Sequence, residues 1–183
     1  MKKGLIMEGG AMRGMFTAGV IDVLMENKII FDGAIGVSAG AAFGSNIKSG
    51  QIGRAIRYNL KYCRDKRYCS LYSLFKTGNL YGADFCYRIL PTKLDIFDTK
   101  SFNKNPMEFY AVCTDVLTGK PVYKKIDAME ENYLEWFRAS ASMPLVSEIV
   151  KIGDLSLLDG GISDSVPLQQ PLYQNEERKF YHQ

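Results

Sequence analysis

The chain has 183 residues, 46% of them hydrophobic, with 23 Lys and Arg against 20 Asp and Glu. That is enough for one domain with a real core, and too apolar for a disordered tail. A net charge of +3, spread along the chain, gives no case for nucleic acid; it fits contact with anionic lipid without requiring it.

Every apolar run is broken by charge or glycine well short of a membrane span. Met1-Lys2-Lys3 opens like a signal peptide, but Leu5-Ile6-Met7 ends at Glu8, far too short for its apolar region. Cys63, Cys69, Cys86 and Cys113 follow no metal spacing. Without an export signal they are expected as reduced thiols, in a cytoplasmic protein. No cluster of acidic loop ligands suggests calcium, so no metal and no cofactor are expected.

In chain order, Gly4 to Met7 reads as a short buried strand. A glycine-rich turn follows, then a helix from about Gly14 to Asn27. Phe16, Val20, Val23 and Leu24 form its apolar face, and Ile21 and Met25 widen it, so most of the helix is expected to be covered. A second strand, Gly33 to Val37, delivers Ser38 into a further helix rich in small residues. This strand–helix–strand–helix opening argues for parallel strands with covering helices. Residues 53–63 read as a helix with Ile52, Ile56 and Leu60 on one side. The stretch from Tyr58 to Phe75 mixes aromatics with Lys and Arg. It suits a membrane-contact or lid segment, or a helix end with its aromatics inward and its charges solvated.

Further on, Met107 to Asp115 is a strand, turned by Leu117-Thr118-Gly119-Lys120 into Pro121-Val122-Tyr123. A helix covers Tyr133 to Ser140 and stops before Pro144. Glu148 to Ile152 and Leu155 to Leu158 flank Gly153-Asp154 as a second hairpin. Trp136 and Cys113 read as packing residues. Nothing repeats and nothing reads as a linker, so residues 1–183 are taken as one domain.

Three stretches could carry chemistry. Gly36-Val37-Ser38-Ala39-Gly40 is a G-x-S-x-G pentapeptide at a strand end. Small residues two before and two after the serine permit the sharp turn that holds a nucleophile exposed; a tight turn in a Gly- and Ala-rich chain looks the same. Glu8-Gly9-Gly10-Ala11-Met12-Arg13-Gly14 opens a helix, and its backbone N–H groups suit a phosphate or the oxyanion of acyl transfer. It could equally be a turn that lets the helix pack closely. It is neither a Walker A loop nor the dinucleotide fingerprint. Asp159-Gly160-Gly161 follows an apolar strand and places a carboxylate at the sheet rim, unless it serves only an Asx-type turn. The chain's one histidine, His182, is penultimate. A serine hydrolase built here must pass its proton directly to a carboxylate whose surroundings raise its basicity, and Asp159 is the natural choice.

In this order, the three motifs resemble those of the patatin-like phospholipases. Thr114 to Lys120 and Ala139-Ser140-Ala141-Ser142-Met143-Pro144 add to the resemblance, which runs from Lys3 to about Gln170. It implies a three-layer α/β/α fold with a mostly parallel central sheet, and a Ser-Asp dyad of Ser38 and Asp159. It implies an oxyanion hole from the Gly9, Gly10, Ala11, Met12, Arg13 and Gly14 loop and Ala39, with Arg13 orienting the loop. Gly36, Gly40, Gly160 and Gly161 complete the motifs. The expected reaction is hydrolysis of a lipid or other acyl ester through an acyl-Ser38 intermediate, with transient contact at a membrane surface. Two departures stand out. Ala11 replaces the usual second loop glycine, costing about 1 kcal/mol if the position needs positive φ. And Asn175 to Lys179 is charged, with the chain ending at Gln183, where the family continues with a strand and helices; a truncated protein or missing segments is the expectation. The alternative function is a non-enzymatic anion- or nucleotide-binding module using the glycine-rich loop. Oligomeric state and the identity of the lipid are left open.

Overall fold

The computed structural model describes residues 3–129 and 133–168. Its frame is one six-stranded sheet. β1 (Gly4–Met7), β2 (Gly33–Val37) and β3 (Glu108–Asp115) lie parallel and adjacent. β4 (Pro121–Lys125) and β6 (Leu155–Asp159) pair antiparallel with β3, and β5 (Val150–Ile152) pairs antiparallel with β6. The sheet as a whole is therefore mixed, with its parallel part in the first three strands. All five residues of β2 are buried, as an apolar strand covered on both faces should be.

β3 organises the rest. Its residues Tyr110 to Thr114 pair with β4 along one edge. Along the other edge it takes β2 first, through Glu108 to Val112, and then β6, through Cys113 to Asp115. The two run in opposite directions, so their C-terminal ends meet. Val37 pairs with Val112, and Asp159 pairs with Cys113, the next residue.

The side chains alternate as a strand requires. Phe109, Ala111 and Cys113 enter the main core with Phe102, Trp136 and Phe137; Val112 joins Ile35 and Val37 in a smaller cluster with Tyr110 and Tyr123. Trp136 and Cys113 are both core residues, and burial pushes the Cys113 thiol up to about 12.

α1 (Gly14–Glu26) and α2 (Ala39–Ser49) pack through small residues. A Cβ on Gly14 would stand 2.8 Å from the Ala39 Cβ, so the helices approach as closely as glycine allows. This reverses the expected face of α1. Gly14, Ala18 and Ile21 are its buried residues, while Phe16, Val20 and Val23 are exposed. Close helix contact selected the small side of the helix rather than the bulky one. α3 (Arg54–Tyr62) departs likewise: Arg54, Ala55, Tyr58 and Asn59 are buried, and Leu60 is exposed.

α6 (Tyr133–Ser140) lies where its pattern predicts. Three elements between α3 and β3 go beyond the sequence reading. α4 (Leu71–Thr77) is capped by the Ser70 hydroxyl and α5 (Thr99–Lys104) by the Asp98 carboxylate, each accepting from a backbone N–H three residues on. A π-helical segment, Phe85–Leu94, accommodates Pro91. No helix among the described residues is long and apolar enough to cross a membrane.

Candidate active site

Ser38 sits between β2 and α2 with φ 55° and ψ −122°. Positive φ is unusual for a residue with a side chain and costs on the order of 1–3 kcal/mol, so the surroundings must impose it. They do so by contact. A Cβ on Gly36 would lie 2.5 Å from the Ala41 Cα, and one on Gly40 would lie 2.3 Å from the Met7 carbonyl oxygen. The strand-to-helix elbow closes only because both positions are bare. Its first turn is fastened by the Ala41 and Ala42 N–H groups, which donate to the Ser38 carbonyl at 3.0 Å.

The Ser38 hydroxyl donates to Asp159 Oδ2 at 2.6 Å, across 121 positions of sequence. Both residues are buried, at 5% and 6% exposure, so the contact is shielded from water. Asp159 Oδ1 accepts from the Gly161 N–H at 2.8 Å. The Asx-type turn and the serine contact thus coexist, one on each carboxylate oxygen. Among the described residues no cation pairs with Asp159. Burial, the largest influence, raises its pKa above the ordinary carboxylate value, and the two hydrogen bonds oppose that only in part. A Cβ on Gly160 would stand 2.3 Å from the Val112 carbonyl oxygen, so glycine lets the chain turn off the end of β6 directly against β3.

Four further polar residues hold this pair, and motif reading assigned none of them a task. Ser140 Oγ accepts from the Ser38 N–H at 2.9 Å and donates to the Val112 carbonyl at 2.6 Å. The Asp159 N–H donates to the Ser142 carbonyl at 2.8 Å. The Thr114 hydroxyl donates to the Asp159 carbonyl at 2.7 Å and lies 2.7 Å from the Ser163 hydroxyl. The only signal was that Thr114, Ser140 and Ser142 fall in the two supporting stretches.

The glycine-rich loop lies beside Ser38. A Cβ on Gly9 would come 3.0 Å from the Ser38 Cβ, so glycine opens the space above the hydroxyl. Ala11 begins a short 3₁₀ turn and has φ 47°, so it both opens the turn and carries the strain expected of alanine at positive φ. Inside the turn the Arg13 N–H donates to the Gly10 carbonyl at 2.9 Å and the Gly14 N–H to the Ala11 carbonyl. Those two amides are spent. The Gly10, Ala11 and Ala39 amides make no hydrogen bond among the described residues, and Ala11, Met12 and Ala39 line the same cavity as Ser38. The Arg13 side chain folds back over Gly10, its Nε 3.8 Å from where a Cβ would stand. His182 lies outside the described residues.

The cavity has a volume of about 120 Å³ and is mostly apolar. Ala42 and Ser45 continue from Ser38 along one face of α2, at the i+4 and i+7 positions. Tyr68, Tyr81, Leu134 and Met143 also line it, while Leu90, Phe97 and Arg54 contribute more of the wall. Arg54 is buried, with its guanidinium bound to the Asn46 side chain and the Asp95 carbonyl and paired with the Asp95 carboxylate at 3.3 Å, so it closes the wall without a loose charge. Cys86, also in the wall, has its thiol pushed up to about 12 by burial and does not compete as a nucleophile.

The family model for patatin-like phospholipases matches residues 5–172. The chain belongs to this family. Its mixed sheet flanked by helices is consistent with the family's three-layer α/β/α fold. The uncharacterized protein YjjU of Escherichia coli K12 is 28% identical over 171 residues, which cover 91% of this chain and 47% of that protein. Two uncharacterized NTE family proteins, Mb1092c of Mycobacterium bovis and Rv1063c of Mycobacterium tuberculosis H37Rv, are each 26% identical over 164 residues, covering 90% of this chain and 44% of theirs. The patatin-like chain thus spans about half the length of these relatives.

Proposed function

We propose that this domain is a lipid acyl hydrolase, a carboxylic ester hydrolase of the phospholipase A type, working through Ser38 and Asp159. The observation that carries the reading is the 2.6 Å contact between the Ser38 hydroxyl and a buried carboxylate at an apolar cavity. An anion-binding module would leave that carboxylate without a purpose.

In the proposed reaction Ser38 Oγ attacks the ester carbonyl carbon while its proton passes to Asp159 Oδ2. The carbonyl oxygen becomes an oxyanion facing the Gly10, Ala11 and Ala39 amides, with the positive end of α2 behind Ala39. The carbon–oxygen bond to the leaving alcohol breaks, and Asp159 returns the proton to that alcohol. The acyl chain, now on Ser38, lies in the cavity. Water then attacks the acyl-serine; Asp159 takes its proton and passes it to the departing Ser38 oxygen, releasing the fatty acid. Burial without a cation makes Asp159 basic enough to serve without an imidazole between. A cytoplasmic location belongs to the same reading, supported by four cysteines that stand as free thiols.

The test is covalent. A serine-directed fluorophosphonate is expected to label Ser38, located by mass spectrometry of the digested protein, and Ser38→Ala to lose the adduct and the ester turnover together. Removing His182 is expected to leave labelling unchanged. Retained turnover in folded Ser38→Ala overturns the proposal.

A further inference from the structure

α4 turns its apolar side chains outward. Leu71, Tyr72 and Phe75 are 66%, 57% and 87% exposed, and Ser73 is the one residue of the helix that is buried. Their spacing puts the three on one face. Lys76 joins them, its ammonium 5.6 Å from the centroid of the Tyr72 ring. The segment joined to the strip just after α4 carries Leu145, 99% exposed at φ 70°. The Leu80 N–H donates to the Val146 carbonyl at 2.8 Å and the Glu148 N–H to Asn79 Oδ1 at 3.1 Å, so the two segments are fastened together.

Both segments belong to the cavity wall. The strips flanking α4 are paired by the Ser70 N–H donating to the Leu80 carbonyl and the Gly82 N–H to the Tyr68 carbonyl, each at 3.0 Å. Tyr68 and Tyr81 on those strips line the cavity, as do Ala141 and Met143 just before Leu145. The outward apolar face is therefore built on the wall of the cavity that opens at Ser38.

The chain leading into and through α4 is basic, while the acid Glu148 stands beside Gly78 at the helix's far end. From residue 61 to 76 the exposed cations are Lys61, Arg64, Lys66, Arg67 and Lys76, and the only acid is Asp65. Asp65 is taken by Arg67 at 2.7 Å, and among the described residues the other four have no ion-pair partner. Exposed aromatic and aliphatic side chains next to a segment rich in cations match a bilayer's anionic headgroups and the acyl layer beneath. A second copy of the chain fits worse, because a two-fold contact on this face would bring the same four cations against themselves.

We propose that α4 and Leu145 form the surface on which the domain docks to an anionic lipid bilayer, bringing the cavity wall against the membrane that holds its substrate. The purpose of docking rests on the acyl-hydrolase reading; docking itself is measured without turnover. The experiment uses the full chain carrying Ser38→Ala, so that lipid stays intact, and sedimentation with vesicles of equal parts phosphatidylcholine and phosphatidylglycerol. Binding is expected, with Leu71→Asn plus Phe75→Asn weakening it about tenfold or more. Lys66→Glu plus Lys76→Glu, a surface change that spares the apolar residues, is expected to weaken it comparably, as is high salt. In the Ser38 parent, both pairs are expected to leave turnover of a water-soluble short-chain ester unchanged, so failure of the catalytic reading shows separately as no turnover at all. No sedimentation, or sedimentation indifferent to both pairs, overturns the proposal. So does a concentration-dependent dimer abolished by the Leu71 and Phe75 changes, which would make the face a contact between copies.

Discussion

Ser140 grips Ser38 by its backbone: its hydroxyl accepts from the Ser38 N–H and donates to the Val112 carbonyl. One side chain on α6 thus joins the end of β2 to the middle of β3 at the elbow. Ser140→Ala strands a buried donor and a buried acceptor, each worth about 1–3 kcal/mol when unpaired. The expected result is a lower melting temperature and a kcat reduced about tenfold or more, with KM little changed, because the proposed nucleophile is displaced rather than removed. Ser140→Thr, which keeps the hydroxyl, is expected to recover part of kcat if the added methyl is accommodated. Wild-type kcat in Ser140→Ala would count against the positioning role.

Asp159 links activity and stability with opposite signs. Its folded pKa lies above the unfolded one, because burial favours the neutral acid. Any stability contributed by protonation is complete below the unfolded carboxylate pKa and disappears as pH rises through the folded one. At neutral pH the protein therefore carries an unfavourable buried charge. Asp159→Asn is expected to lose nearly all turnover while unfolding at higher denaturant near pH 7, with the gain vanishing in acid. Denaturant titrations at several pH values test this.

The same shift sets the acid limb of the rate profile. As the proposed base Asp159 must be ionised, so kcat/KM for a soluble ester is expected to fall as pH is lowered through a midpoint above the ordinary aspartate value. Truncation before His182 is expected to leave that midpoint in place. A midpoint that moved with the histidine would restore imidazole to the mechanism.

Much of this was legible in the sequence because its signals are local. The strand before Ser38, the hairpin around Gly153 and the α6 pattern each lie within a few residues of their cause. What escaped depends on partners distant in the chain. The buried side of α1 was set by Gly14 against Ala39, where close approach outweighed the pull of Phe16, Val20 and Val23 toward a core. α4 escaped because its apolar side faces out, though Ser70 was a readable cap. The aromatics from Tyr58 to Phe75 divide: Tyr58 and Tyr68 turn inward, as a helix end's aromatics were expected to, while Tyr72 and Phe75 are exposed.

Ala11 tests a departure visible from the start. At φ 47° its methyl group is strained. Ala11→Gly relieves that strain, partly offset by greater freedom in the unfolded chain, so a gain of up to about 1 kcal/mol is expected. If the strain also tilts the Ala11 amide, kcat is expected to rise with no change in the pH midpoint. A loss of stability would show that the methyl group's contact with the cavity matters more than its backbone.

Chain length of the acyl group should answer to α2. From Ser38 to Ser45 the helix rises about 10 Å, close to the reach of eight or so methylenes. Ser45→Phe is expected to lower kcat/KM for a dodecanoyl ester at least about tenfold relative to a butanoyl ester. Equal effects on both would mean that the chain takes another path.

Ser38 and Asp159 owe their spacing to one peptide unit. Val37 and Asp159 are anchored on Val112 and Cys113, so the gap between their strands is measured by a single Cα–Cα step of about 3.8 Å. Bond lengths do not drift. Loops joining these strands can lengthen, shorten or change composition without detuning the pair, whereas one residue inserted between Val112 and Cys113 would separate it at a stroke.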